Sequence, residues 1–270
     1  MPTENRQIHP GGTGEAVGVV VPTLGVRPQS LEECLKSIRL SGNCFLVLVA
    51  PSNVRAFPKG VTSLCDSFIV DEGRGLSAAI NSGLKSLPTE IRFATWIGDD
   101  DTLKQHSMTL ASSALHADSS LGLVFGSCEY VNRNGKLLFV NRSGRFAFTL
   151  MKYGPQLLPQ PGSLFRLDLF HQIGGLNESL KFAFDLDLFL RMGKISNYHH
   201  MNRVLGSYRW HADSLTAGSR YASVTEASKV RKSHLPICLR LFSNLWEVPL
   251  QISSICAGTL LSRRENKSSK

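Results

Sequence analysis

No Cys-x-x-Cys pair and no histidine cluster at zinc-ligand spacing occurs in this chain. That argues against a metal knuckle, and the six cysteines (Cys34, Cys44, Cys65, Cys128, Cys238 and Cys256) show no disulfide-framework spacing. Reduced thiols point to a cytoplasmic setting. Met1 to Glu15 is polar and carries Gly and Pro but no apolar h-region, so it reads as a flexible lead-in and not as a secretory signal. An uninterrupted run of ~20 apolar residues is missing too, as are internal repeats and low-complexity tracts, which excludes a polytopic membrane protein and a fibrous array. What remains is a globular composition. Hydrophobic residues make up 42% of 270 positions and mean hydropathy is −0.04, enough for one large domain or two small ones.

Acidic residues are scarce at one end. The net charge is +9, and residues 231–270 hold seven Lys and Arg against two Glu, leaving only +4 for the first 230. An excess of this kind suits an anionic partner. Around an apolar segment from His234 to Leu261, Arg240, Asn244, Glu247, Gln251 and Ser254 recur at steps of four and three, a narrow polar stripe beside a wide apolar one. Two readings stand for this helix, kinked at Pro249: packing on the domain or a second subunit, or contact with an anionic membrane surface through Arg263, Arg264, Lys267 and Lys270.

The first hundred residues alternate. Gly18–Pro22, Phe45–Ala50, Ser67–Val70 and Phe93–Ile97 are short β-branched or apolar runs of the buried-strand kind, with helical patterns after the first and third. Ser30 and Glu33 stand at capping-box spacing before Leu35 and Ile38. Strand, helix, strand is the parallel βαβ unit. Ligands in such sheets bind beyond the strands' carboxyl ends, so the turns at Thr23, Ser52, Arg74 and Asp100 are expected to meet in one crevice. Farther on, a helix is expected near Leu103–His116, strands at Leu121–Gly126 and Lys136–Val140, and a helix over Phe184–Met192.

The fourth strand runs into Gly98-Asp99-Asp100-Asp101. Three adjacent carboxylates repel one another unless a cation or hydrogen-bond donors offset them. Oxygen donors without adjacent His or Cys suit Mg2+ or Mn2+, held by one or two carboxylates plus substrate phosphates; the other reading is an Asp-rich turn with a helix N-cap at Asp101 or Thr102.

Five segments in order, VVVPTLGVRPQSLEECLKSI, GRGLSAAINSGL, WIGDDDTL, QPGSLFRLDLFHQIGGLNESLKFAFDLDLFLRM and YRWHADSLT, resemble glycosyltransferase family 2, inverting sugar transferases of the GT-A fold. The resemblance spans roughly Val17 to Thr216. It implies an α/β GT-A domain over 17–220, preceded by the lead-in 1–16 and followed by a basic amphipathic tail over 221–270. It also implies transfer of a hexosyl unit from a nucleotide-diphosphate sugar to a glycan or lipid-linked hydroxyl acceptor, with Mg2+ or Mn2+, in cell-surface glycan assembly. Residue by residue, the resemblance implies Asp100 and His211 as metal contacts, and Thr23, Asp71, Arg74, Gly75, Asn81 and Asp99 on the donor side. Asp185 matches the catalytic base, while Gln160, Asp187 and Trp210 fall on the acceptor side. Gly98, Ile80, Phe184 and Ala50 depart from the family pattern.

Plainer readings stand beside these. Thr23 is also a turn hydroxyl, Asp185 a helix N-cap, Asp187 an i,i+4 partner of Arg191, His211 a structural histidine and Trp210 a packing residue. The tandem His199-His200 reads as surface or packing. The rival enzyme reading is a nucleotidyltransferase, for which Pro22-Thr23-Leu24-Gly25-Val26-Arg27 is a poor phosphate loop. The rival non-enzyme is a degenerate, non-catalytic GT-A-like module; nucleic acid is not the expected partner.

Overall fold

Val17–Pro22 (β1) is buried at every position because helices cover both faces of the sheet it joins. Val19 and Val21 point into one apolar cluster with Leu31, Leu35, Leu46 and Leu48, and Val20 points into the other with Val47, Val49 and Ile80. That is the period-two alternation of a strand between two helical layers. The protein is a computed structural model that describes residues 15–52, 57, 59–142, 144–211 and 219–268. The lead-in up to residue 14, Asn53, residues 212–218 and Lys270 therefore lie outside the described residues, as do the side chains of Arg263, Arg264 and Lys267.

From β1 the chain passes through α1 (Pro28–Ser41), β2 (Cys44–Pro51), α2 (Lys59–Thr62), β3 (Ser67–Asp71), α3 (Leu76–Lys85) and β4 (Phe93–Trp96). These four strands pair in parallel, as the alternation predicted, and the structure sets their order as β3-β2-β1-β4. Gly83 lets α3 lie close on the sheet, since a Cβ there would run into Val20 and Val49. The expected capping box is absent. Helix α1 starts at Pro28, whose φ is preset for the first helical turn, so Ser30 lies inside the helix, and the N-cap residue Arg27 sends its side chain elsewhere.

Beyond the acidic turn come β5 (Thr102–Leu103), α4 (Ser107–Ala117), β6 (Leu121–Val131), β7 (Leu137–Asn141), α5 (Ala147–Met151), β8 (Leu164–Arg166), α6 (Leu167–Gln172), α7 (Phe184–Met192) and β9 (Asn197–Arg209). The N-cap reading at Asp101 or Thr102 is corrected: residues 102–103 pair with Ser207 and Gly206 of β9, and α4 begins only after His106. Strand β8 joins the sheet antiparallel between β4 and β6, and β9 lies parallel to β6. The whole is a mixed, mostly parallel α/β sheet flanked by helices, as expected. Three helices follow, α8 (Arg220–His234), α9 (Ile237–Phe242) and α10 (Asn244–Ser268), with Pro249 inside α10. Among the described residues no helix is long and apolar enough to cross a membrane, and all six cysteines are free.

Candidate active site

The acidic turn is assembled from three distant stretches of chain. Asp99 accepts a hydrogen bond from the Thr23 hydroxyl at 2.6 Å, which ties the turns after β1 and β4 together. Arg27 reaches in from the start of α1, donating through Nη2 to Asp99 Oδ1 and through Nη1 to Asp100 Oδ2, each at 2.6 Å. His211 arrives from the end of β9, its Nε2 lying 2.6 Å from Asp100 Oδ2 and 3.0 Å from Arg27 Nη1. Its delivery follows from the sheet. Because β5 pairs with β9 and Trp210 N donates to Val131 O, the end of β9 must pass over the Asp100 turn.

Asp101 has a different task. It is buried, accepts the Arg209 backbone N–H at 2.8 Å, and donates its own N–H to Gly98 O. Burial raises the Asp101 carboxyl well above its ordinary range, with the charge of Asp100 adding to the effect. Asp99 is also raised, by burial first and by Asp100, against the lowering pull of Thr23 and Arg27. Gly98, where the family pattern has an acid, has a steric reason: a Cβ there would sit 3.0 Å from Asp101 Oδ2 and 3.3 Å from Asp100 Oδ1. Two arginines that sequence reasoning did not place in the site, Arg27 and Arg209, supply the compensation the triplet needs. Arg209 donates through Nε to Asp100 O and through Nη2 to Glu33. The sequence signal for Arg27 is its position just past the β1 turn, at the end of the Pro22–Arg27 stretch.

A divalent ion fits this donor set. Asp99 Oδ1, Asp100 Oδ2 and His211 Nε2 already converge on one cationic group, the Arg27 guanidinium, and carboxylate and imidazole donors suit Mn2+ or Mg2+. Among the described residues no cluster of three or more His, Cys, Asp or Glu is arranged as a ready metal site. The Arg27 guanidinium is bonded to all three of these groups, so an ion held by them would compete with those bonds.

Of the residues expected on the acceptor side, Gln160 lies at the end of the same strand. Gln160 donates to Trp96 O at 2.6 Å, and the ring of Phe184, first residue of α7, lies 6.4 Å from the Trp96 ring. Asp185 accepts from Gln156 Nε2 at 2.7 Å and from Leu186 N at 2.8 Å. Its carboxyl is raised by burial despite those bonds. The N-cap reading of Asp185 does not hold, since Ala183 is the N-cap and Asp185 stands in the first turn. Gln156 had no sequence signal beyond its place in a Pro-rich stretch.

Other expected site residues are engaged elsewhere. Asp187 pairs with Arg191 at 2.8 Å, as the i,i+4 reading held, and with His234 at 3.0 Å, so both its oxygens are taken. Burial works to raise Asp187, but the His234 and Arg191 hydrogen bonds outweigh it and hold the carboxyl below its ordinary range. Trp210 is buried in an aromatic group with Tyr130 and Tyr208, and Ser262 lies 3.4 Å from its Nε1, which is its packing reading. Asn81 is buried with its amide bonded to Leu176 and Glu178, joining α3 to the Gly174-Gly175 turn. Arg74 is exposed between Glu72 and Glu178, and Asp71 accepts from Gly73 N. Gly75 has φ +104° with open space where a Cβ would point, so its backbone, not a crowded neighbour, calls for glycine. Of the four turns expected in one crevice, those at Thr23 and Asp100 are joined by hydrogen bonds; none links Ser52 or Arg74 to them among the described contacts. His200 packs on Phe125, in keeping with its plain reading.

No family model matches the chain. It is 22% identical over 141 residues to the chondroitin synthase of Pasteurella multocida (strain Pm70), covering 52% of this chain and 14% of that protein. The chain thus spans about a seventh of that relative's length. Among solved structures it is similar to S. aureus TarS 1-349 in complex with UDP-GlcNAc, with a TM-score of 0.60 and 14% identity over 83% of this chain and 69% of that one. It is also similar to the mannosyltransferase PcManGT from Pyrobaculum calidifontis in complex with GDP-Man and Mn2+, with a TM-score of 0.60 and 17% identity over 90% and 75%. The relatives are glycosyltransferases, and the fold is the GT-A fold, as the motifs implied.

Proposed function

We propose that this chain transfers a hexosyl unit from a nucleotide-diphosphate sugar to a hydroxyl of a glycan or lipid-linked acceptor, with inversion at the anomeric carbon. The observation that carries the proposal is the meeting of Thr23, Asp99, Asp100 and His211 at the carboxyl end of β4, a strand whose end also carries the Asp185 side of the fold. Residues 17–220 then form the transferase domain and 221–270 an added helical segment. Nucleotide-sugar complexes of the similar structures support the donor class.

In this reading the donor lies across the carboxyl ends of β1 and β4, with Thr23 and Asp99 beside the nucleoside and sugar. Asp100 and His211 would hold Mn2+ or Mg2+, whose charge offsets the leaving diphosphate. Arg27, if released from the two carboxylates, would add a positive charge beside the same phosphates. On the opposite side Asp185, oriented by Gln156, accepts the proton of the acceptor hydroxyl as that oxygen bonds to the anomeric carbon. The C–O bond to the diphosphate breaks with its electron pair going to the leaving group. A carboxyl raised by burial holds a proton more strongly than a solvated one, which suits it to this step. Donor-side Asp71, Arg74, Gly75 and Asn81 and acceptor-side Gln160 then shape the two ends of the cleft.

The test is a panel of nucleotide sugars scored for hydrolysis and thermal stabilisation, with and without Mn2+. Turnover with one donor, lost on chelation and in Asp100→Asn at unchanged circular dichroism, is the expected result. Full turnover in Asp100→Asn, or undiminished turnover with chelator, removes the metal role. Stabilisation by no donor, together with salt-sensitive nucleic-acid binding, would replace the enzyme with a binding module.

A further inference from the structure

Helix α10 is mounted with its polar side inward. Glu247 is fully buried and forms a two-pronged pair with Arg231 of α8, at 2.8 Å and 2.7 Å. One end of the helix gives Asn244 to Lys232; toward the other, Thr259 and Ser262 accept from Arg220, whose guanidinium lies against Gly258. Of the stripe that spacing picked out as polar, Arg240, Asn244 and Glu247 bond to α8, Glu247 buried and the other two at the exposed edge. The wide apolar remainder faces out. On α9, Ile237 is 78% exposed and Leu241 77%, with Phe242 beside them, and on α10 Leu245 is 76% exposed, with Val248, Ile252 and Leu260 following. At ~1.5 Å per residue the α10 part from Leu245 to Leu260 runs for about 22 Å, and the exposed polar side chains between Ile237 and Leu260 are Arg240, Asn244 and Ser253.

We infer that this face lies on an anionic lipid surface. Water does not hold such a face for nothing: exposed apolar stripes of this length mark contact with lipid or another protein. Charge selects between them. Setting aside the buried Arg231–Glu247 pair, residues 231–270 carry six bases and one acid. A second copy would bring the same positive segment against this one, whereas anionic headgroups would attract it. The helix lies in the interface without crossing it, because no described helix is apolar enough to span. The bilayer would then sit beside the acceptor half, since α8 holds Asp187 of α7 through His234 and α10 meets Trp210 through Ser262. Lipid contact stands independently of any sugar transfer.

Flotation of the full chain with vesicles of phosphatidylcholine and phosphatidylglycerol, and with phosphatidylcholine alone, tests the inference. The chain should float with the anionic vesicles, be released by salt, and stay largely unbound with the neutral ones. Leu241→Glu with Leu245→Glu should lower vesicle binding about tenfold or more while circular dichroism and Tm stay unchanged, because both side chains are exposed. Three results would overturn it: a soluble full chain at low salt, equal binding by the double variant, or a dimer in solution that the double variant dissociates.

Discussion

Arg27 compensates two carboxylates at once, and it is 38% exposed at its side chain while Asp99 and Asp100 are nearly closed off. Replacing it by glutamine removes a charge that both acids rely on. Arg27→Gln should lower Tm in metal-free buffer, and Mn2+ should then raise Tm by more than it does in the wild type, because the ion meets the donors without displacing a guanidinium. Thermal shift with and without Mn2+ checks this; an equal shift in both proteins would mean that Arg27 does not contest the position. Asp185 offers the opposite case. Its folded carboxyl lies above the unfolded value, so the folded state holds the proton more tightly and stability falls as pH rises through that window. Asp185→Asn should cost about 10²–10⁴ in kcat with little change in donor affinity. The same variant should be more stable than wild type at neutral pH, with the difference vanishing in acid, as chemical denaturation across pH would show.

At the scale of elements, the mounting of α10 depends on the buried Arg231–Glu247 pair. Glu247→Gln leaves the Arg231 charge buried with a weakened partner and should destabilise by up to about 3–5 kcal/mol. Arg231→Met with Glu247→Leu should recover most of that loss, since well-packed apolar replacements of buried pairs are often neutral. Urea unfolding of the single and double variants measures both. The same helix illustrates how far a pattern is legible: the stripe from Arg240 to Ser254 was visible in the spacing, but which side faced the protein was not. An amphipathic period carries no sign, and the direction was set by Arg220 and Arg231 on another helix. Strand β5 is the like case. Thr102-Leu103 read as the start of a helix because their partner, β9, lies a hundred residues away.

Over the whole molecule, the C-terminal helices are tied to α7 and the segment before it. Glu226 of α8 accepts the Lys181 and Phe182 backbone N–H groups just before α7, Val230 belongs to the main core, and His234 reaches Asp187. Asp187 thereby couples the segments to pH. Its folded carboxyl lies below the unfolded one, so its contribution is present above an unfolded value of about 3.9 and is lost as pH falls through the folded value. Asp187→Asn should therefore be less stable than wild type at neutral pH and show a flatter acid limb in urea midpoints measured across pH. An unchanged acid limb would locate the acid sensitivity elsewhere.

By itself the sequence determined that the first four strands pair in parallel, because buried β-branched runs separated by helical periods call for crossover connections, while their order β3-β2-β1-β4 came from the tertiary structure. It also determined that Gly98 to Asp101 ends the fourth strand and that α7 runs over Phe184–Met192, both set by local pattern. Which of three adjacent aspartates faces the cleft was decided only by tertiary structure. Asp101 is taken by the Arg209 backbone, Asp99 by Thr23, and Asp100 is left to His211 and Arg27, all through partners more than seventy residues distant in sequence. Hydrogen bonds across such separations leave no period or spacing in the chain. They exist once the sheet has brought the ends of β1, β4 and β9 together.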